Sequence, residues 1–365
     1  MNTRSKDIIF LLGAGASVEA KIPMSGQMIS QVEELLSNRS EWQPHRDLYN
    51  HVKSAIYFSA GLQGLFNYDV PFNIETLVNT LYELERNEDH PLYPFIAAWN
   101  SRFVILAGEK FVHVRAFRRK ILATLKRWMC PGDTSLSDYY IGLKSLQNDL
   151  NYALRVFSLN YDMCVERLNG TEFKVETGFE GFGVHPWSFQ RFEEVEDGST
   201  GSPELYLYKL HGSINWMRDP ATKSLLSHEQ IESVDDEHLD VIFGRDFKLE
   251  AADPYLFYAY EFRRYTLAAK LIVSIGYGFG DGHINKMLTQ SLRNSMSRRI
   301  LVVQNFKDDA DMQVKLESVR KKLELDVSQK DQVVGFVGAA KAFLTQDKLS
   351  VFLTDLLPRG ENEPF

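Results

Sequence analysis

Residues Phe10–Pro23 read FLLGAGASVEAKIP, an apolar run that stops on Gly13-Ala14-Gly15 and continues in small residues. A buried strand that ends on glycines has two readings. In one, small residues let backbone N–H groups approach a diphosphate where a helix begins. In the other, the turn only needs a residue at positive φ. Position 18 is a valine, so the third glycine of a G-x-G-x-x-G fingerprint is missing. The stretch alone leaves both readings open.

Beyond DIIFLLGAG (7–15), further short apolar runs close on a turn or polar signal: LRVFSLNYD (154–162), LYLYKLHGS (205–213), KLIVSIGYGFGD (270–281) and RRILVVQNF (298–306), with LDVIFG (239–244) a weaker sixth. Such runs read as strands buried on both faces of a parallel sheet. Helical spacing separates them, as in SGQMISQVEELLS (25–37) and GHINKMLTQSLRNSM (282–296). This alternation predicts an α/β fold with a doubly wound parallel sheet and ligands at the carboxyl ends of its strands. Residues 38–150 break the alternation, with helical spacing and no convincing strand. They are read as a helical insertion between the first two strands, which leaves 1–37 and 151–357 as the sheet domain and 358–365 as a flexible tail. The acidic segments 191–203 and 228–240 are read as surface loops, and 339–357 as one amphipathic helix.

The chain has 365 residues, 44% hydrophobic and 25% charged, enough for one large domain or two smaller ones. Its 49 acidic residues against 41 Lys and Arg leave a net charge of −8, which argues against a surface devoted to nucleic acid. Cations gather at 110–132, where seven Lys and Arg occur without an acid. That stretch is either a solvated helix face or a docking surface for a subunit or an acidic partner. The two cysteines, Cys130 and Cys164, lie far apart, so neither a disulfide framework nor a structural zinc site is indicated. The apolar run of five before Gly13 is too short for a signal-peptide core. No apolar stretch approaches the ~20 residues of a membrane helix. A reduced, cytoplasmic setting is expected.

Three strand ends turn polar: SLNYD (158–162), KLHGS (209–213) and IGYGFGDGHIN (275–285). Each has a plain structural explanation. His211 can be a hydrogen-bonded scaffold residue, Asn160 a turn former, and Asp281 a helix N-cap. Together and in this order, GAGAS, LNYD and LHGS resemble the sirtuin-like family of NAD-consuming proteins. Ile22-Pro23 and IGYGFGDGHIN are similar to one branch, the bacterial sirtuin-like NAD hydrolases of antiphage defence, found with HerA-type ATPases, Argonaute-like proteins or other partner modules. The resemblance covers 7–30 and 154–306 but not the helical insertion.

The resemblance implies a Rossmann-like fold, NAD as substrate, no metal, and Asn160, His211 and Asp162 as catalytic residues. It places Gly13, Ala14, Gly15 and Ser17 around the diphosphate, and Gly276, Tyr277 and Asp281 near the adenosine ribose. It also implies a homo-oligomer gated by assembly or a protein partner, with no direct nucleic-acid binding and no membrane. The chain departs from protein-deacetylating sirtuins in three ways. It has no four-cysteine zinc module, MSGQ rather than Asp-Phe-Arg follows Pro23, and Leu159 stands where they have Gln. These departures argue against acyl-lysine chemistry and leave NAD cleavage intact.

The chemistry suits these residue types. Nicotinamide leaves NAD as a neutral base from a cationic bond, and the ribose becomes oxocarbenium-like. An Asn side chain, with one acceptor and two donors, can hold a ribose hydroxyl and an attacking water. A His can take a proton at cellular pH. Asp162, two residues beyond Asn160, shares its strand face if the strand persists that far, where it either offsets the developing positive charge or fixes the geometry of Asn160 and the ribose. His185 is a spare base, His283 orients the following helix, and Cys164 is read as a small core residue. The rival readings are a silent NAD or ADP-ribose sensor and, third, an NAD-dependent deacylase. With no clustered metal ligands in the sequence, NAD cleavage is expected to be unchanged by EDTA and by reductant, measured as nicotinamide release. Loss of turnover in chelator overturns the metal-free reading.

Overall fold

A computed structural model describes residues 6–66, 70, 72–85, 101–130, 132–170, 173–183, 185–193, 202–235, 239–241 and 253–358. Five apolar residues, Ile8–Leu12, form β1, and every one is buried. Strand β1 pairs in parallel with β2 (Leu154–Ser158) on one side and with Leu271–Ile275 on the other, so neither of its edges is open. In chain order the other strands are β3 (Val175–Glu176), β4 (Leu205–Lys209), β5 (Gly212–Arg218), β6 (Leu225–Ser227) and β7 (Leu239–Val241). Then come β8 (Leu271–Ile275), β9 (Arg299–Asn305) and β10 (Val333–Gly338). The main sheet has seven strands in the order β10-β9-β8-β1-β2-β4-β3, and every pairing in it is parallel.

Reading outward from β1, the chain first builds β2 and β4, then returns to the other side for β8, β9 and β10. The order therefore reverses between β1 and β8. That is the switch point at which doubly wound sheets open a crevice beyond the carboxyl ends of their strands. Strand β10 shows that both faces are covered. A Cβ on Gly335 would meet Met312 and Leu316, on the helix Asp309–Lys322, whereas the next residue, Phe336, packs on Phe343 and Phe352. Successive strand residues point to opposite faces, so helices lie on each. The doubly wound α/β fold expected from the sequence is present.

Some elements differ from the sequence reading. Leu239–Val241 does not join the parallel sheet; it pairs antiparallel with β5 in a separate three-stranded sheet, β6-β5-β7. The short edge strands β3 and β10 were not legible, β10 because Gly335 and Gly338 dilute its apolar pattern. The C-terminal helix is two helices, Ala340–Leu344 and Leu349–Asp355, separated where Lys348 takes a positive φ of 57°. Most of the acidic loop (194–201) and of the tail (359–365) lies outside the described residues. Among the described residues no helix is long and apolar enough to cross a membrane.

The chain forms two units. One comprises Met1–Ile22, Met129–Val241 and Asp246–Phe365 and contains both sheets; the other comprises Pro23–Trp128 and Ile242–Arg245. The helix Ser25–Asn38 thus lies in the helical unit, and residues 129–150 lie with the sheets. In the helical unit, the basic stretch forms the helix Val112–Trp128. Val114, Phe117, Ile121, Leu122 and Leu125, at helical spacing, are buried. Its cations are used within the unit. Arg118 and Arg115 place their Nε atoms 2.7 and 2.9 Å from the two carboxylate oxygens of Glu85, and Arg118 lies over the Tyr82 ring. Lys120 donates to the Glu41 carbonyl and lies over Trp42. Arg118, Lys120 and Arg115 are therefore braced within the helical unit.

Burial opposes the charge on Glu85, but the hydrogen bonds and charges of Arg118 and Arg115 outweigh it and hold its carboxyl below the ordinary value. A folded value below the unfolded one stabilises above about pH 4.3, and that stabilisation is lost as pH falls through the depressed value. Glu85→Gln leaves two guanidiniums short of their counter-charge and is expected to destabilise the helical unit by about 1–3 kcal/mol at neutral pH, since Glu85 and Arg118 are largely buried while Arg115 is partly exposed. Thermal melts against pH test this. The wild-type advantage over Glu85→Gln should shrink in acid, and an advantage independent of pH refutes the assignment.

Candidate active site

The turn after β1 is joined to the turn after β8, backbone to backbone. Gly13 N–H donates to the Ile275 carbonyl and Gly15 N–H to the Gly276 carbonyl, both at 2.9 Å. Gly276 has φ +67°, and a Cβ there would stand 1.9 Å from the Ala16 nitrogen. A Cβ on Gly15 would fall 2.8 Å from the Gly276 Cα, and one on Gly13 would fall 2.6 Å from the Tyr277 Cα. These glycines are required by the approach of two loops at the switch point. The N–H groups of Gly13 and Gly15, placed at a diphosphate by the sequence reading, are already engaged. Ala14 is the exposed residue of the turn.

Ser17 sits in the 3-10 segment Ala14–Ala20 and is fully buried. Its hydroxyl donates to Asp162 Oδ2 (2.8 Å), accepts from Asn160 Nδ2 (3.2 Å), and lies 3.0 Å from the Tyr140 hydroxyl. A serine has one proton and two lone pairs. The proton goes to the carboxylate, so Tyr140 must donate to the remaining lone pair. Ser17 therefore lies inside the protein and holds Asn160 and Asp162 together. Tyr139, stacked on Tyr140 with ring centroids 4.7 Å apart, donates to the Ala16 carbonyl. Neither tyrosine was singled out in the sequence. The signal available was the tandem pair in SDYYIG (137–142), inside a stretch that read as ordinary helix.

Strand β2 ends at Ser158, two residues before Asn160. The continued strand expected to bring Asn160 and Asp162 onto one face is absent; Ser17 brings them together instead. Asp162 Oδ1 also accepts from the Cys164 N–H (3.0 Å), and Lys209 donates to the Asp162 carbonyl. Lys209 is buried, 3.0 Å from Glu166, whose carboxyl burial pushes above its ordinary value despite the ammonium beside it. Burial, then the Asp162 charge, pushes the Cys164 thiol up, which makes it a core residue and a poor nucleophile.

The Asn160 amide is oriented by this chain of partners. Turning it over would set oxygen against the Ser17 oxygen, whose only proton is already given to Asp162. Its Oδ1 is consequently directed elsewhere, and among the described residues it is buried without a hydrogen-bond partner. Beside it, Ile214 N–H donates to the Tyr161 carbonyl, and the Tyr161 ring centroid lies 6.3 Å from that of His211. His211 is buried, with its Nε2 3.2 Å from Asp281 Oδ2. Asp281 caps the helix Gly282–Asn294, its Oδ1 accepting from the N–H groups of His283 (2.8 Å) and Ile284 (3.1 Å). Burial opposes its charge, but the His211 bond and these N–H groups hold its carboxyl below the ordinary value. Tyr277 turns its hydroxyl to the Asp281 backbone and to Asn285 Oδ1 (2.9 Å). Asp281 and Tyr277, assigned to a ribose from the sequence, are thus occupied by His211 and by the helix start. His185 is exposed near Trp187, and among the described residues no cluster of three or more His, Cys, Asp or Glu side chains is placed to hold a metal.

Comparison with known proteins finds similarity to one family model and to solved structures. Residues 154–326 match the sequence model of the SIR2-like domain, a span that carries Asn160, Asp162, His211 and Asp281. The chain is similar to a Sir2 homologue solved as an NAD complex, at 12% identity over 96% of this chain and 91% of that one, with a TM-score of 0.42. It is similar as well to a mutant Sir2 homologue in complex with 2′-O-acetyl-ADP-ribose, at 14% identity over 98% and 96%, also at 0.42. No curated protein sequence matches it.

The loop contact yields a paired test. Gly276→Ala drives a methyl into the Ala16 backbone at a positive φ and is expected to cost about 3–5 kcal/mol. Gly278→Ala, two residues along and with open space at its Cβ position, is expected to stay within about 0.5 kcal/mol. Chemical denaturation of the two variants decides it; equal stabilities remove the close approach from the argument.

Proposed function

We propose that the protein is an NAD glycohydrolase that releases nicotinamide and ADP-ribose. The observation that carries this reading is the orphaned Oδ1 of Asn160, a buried acceptor whose orientation is set by Ser17, beside a His–Asp pair at the carboxyl end of the sheet. A buried acceptor without a donor costs about 1–3 kcal/mol, a cost that a hydroxyl-bearing ligand relieves on binding. A ribose hydroxyl or a water provides the matching donor. The similarity of residues 154–326 to the SIR2-like domain favours NAD as the molecule that carries that ribose.

In this reading the bond between ribose C1′ and the nicotinamide nitrogen breaks, and its electron pair neutralises the pyridinium. Water forms the new bond to C1′ while His211 accepts the released proton. Asn160 holds the water and the ribose hydroxyl in line, and Asp162 acts through Ser17 to keep the amide oriented. The wider role, again proposed, is that of an NAD-depleting effector in antiphage defence. Its activity is gated by homo-oligomer assembly or by a partner such as a HerA-type ATPase or an Argonaute-like protein. That part rests on the motif resemblance alone.

Purified protein incubated with NAD, alone and with its partner, and followed by chromatography for nicotinamide tests the reading. Asn160→Ala is expected to slow release by about 100-fold or more while NAD affinity changes far less. Binding without release in every assembly favours the sensor instead. Release that requires an acyl-lysine peptide favours the deacylase.

A further inference from the structure

The environment of Asp281 assigns a job to it that differs from holding ribose. We propose that Asp281 is a positioning residue that fixes the tautomer of His211, keeping the proton on Nε2 and leaving Nδ1 as the basic nitrogen. This inference rests on the reading of His211 as the base.

Asp281 is held on every side that could let it turn. Its Oδ1 is committed to the N–H groups of His283 and Ile284 at the start of the helix Gly282–Asn294. Its backbone N–H donates to the Tyr277 hydroxyl (3.2 Å), which itself donates to the Asp281 carbonyl or to Asn285. Asn285 is in turn tied to the Phe279 carbonyl (3.1 Å), and Gln304 to the Tyr277 carbonyl (2.6 Å). The remaining oxygen, Oδ2, has one direction left, and His211 Nε2 lies there at 3.2 Å. An ionised carboxylate only accepts hydrogen bonds. Nε2 must therefore carry the hydrogen, and in a neutral imidazole the lone pair then falls on Nδ1. The depressed carboxyl of Asp281 agrees with a group that stays ionised through the reaction. It stabilises the imidazolium that forms when Nδ1 takes a proton, without taking that proton itself.

The cap makes the proposal testable by one atom. In Asp281→Asn the helix N–H groups still require an acceptor, so the amide oxygen keeps the Oδ1 position and the NH2 group takes the place of Oδ2. Asn is as good an N-cap as Asp, so the fold is retained. Nε2 now faces a donor and must become an acceptor, which moves the ring proton to Nδ1 and removes the base. Asp281→Ser also caps the helix but is too short to reach His211, so it leaves the tautomer unconstrained.

Two readouts decide it. The first is the 15N NMR spectrum of histidine-labelled, ligand-free protein at a pH where the rings are neutral, with His211 assigned through a His211→Gln variant. The wild type is expected as the Nε2–H tautomer, Asp281→Asn as Nδ1–H, and Asp281→Ser as a mixture. The second is NAD cleavage. Asp281→Asn is expected to lower kcat by about 100-fold or more with KM changed by less than about threefold, and Asp281→Ser to fall between it and wild type. An unchanged tautomer in Asp281→Asn, or an unchanged kcat, overturns the proposal. A rise in KM alone makes Asp281 a ribose ligand and also overturns it. If the wild type releases no nicotinamide, the glycohydrolase reading fails, while the NMR spectrum still decides whether Asp281 sets the tautomer.

Discussion

The backbone after β1 and the backbone after β8 approach more closely than any side chain permits, and the site is arranged around that contact. Gly276 and Gly15 touch at a distance where an added Cβ would lie 1.9 to 2.8 Å from main-chain atoms. The contact anchors the 3-10 segment that carries Ser17 on one side, and the loop that leads through Tyr277 to Asp281 on the other. Two glycine turns, at residues 13–15 and 276, thus fix the two ends of the candidate catalytic machinery. A phosphate site and a tight loop contact demand the same small residues, so their presence does not distinguish the two.

From that anchor, hydrogen-bond capacity settles the rest. The Ser17 hydroxyl has one proton and two lone pairs, and Asp162, Asn160 and Tyr140 use all three. The direction of each bond follows from the carboxylate being unable to donate, and the consequence reaches Asn160, whose Oδ1 has no hydrogen-bond partner among the described residues. The same limitation of a carboxylate acts at Asp281, where it settles the proton on His211. In both places an aspartate, buried at 162 and partly exposed at 281, sets the polarity of its neighbour. Lys209 supports this arrangement from below, donating to the Asp162 carbonyl while paired with Glu166.

The helical unit follows a different logic. Its basic helix looked like a surface feature because seven cations occur without an acid in that stretch. Their partners are distant in sequence: Glu85 for Arg115 and Arg118, the Glu41 carbonyl for Lys120. A charge run read one element at a time overstates exposure, because opposite charge can be supplied from another helix.

Local sequence was enough for the parts of the protein whose physics is local. Uninterrupted apolar runs such as Ile8–Leu12 and Leu271–Ile275 mark strands buried on both faces, and the helical stretches between them require a doubly wound arrangement. The polar strand ends singled out Asn160, Asp162, His211 and Asp281 as candidates. Tertiary structure alone decided what each of them meets. Ser17, 143 residues from Asn160, reads in the sequence as part of a glycine turn at a diphosphate, yet its buried hydroxyl is the point where the network meets. Tyr140 lies in a stretch that reads as insertion, and Asp281 has the local signature of a helix cap whether or not a histidine faces it. A hydrogen bond is set by the direction in which two groups meet. Between groups more than a hundred residues apart, that direction exists only once the sheet has brought its strand ends to one edge.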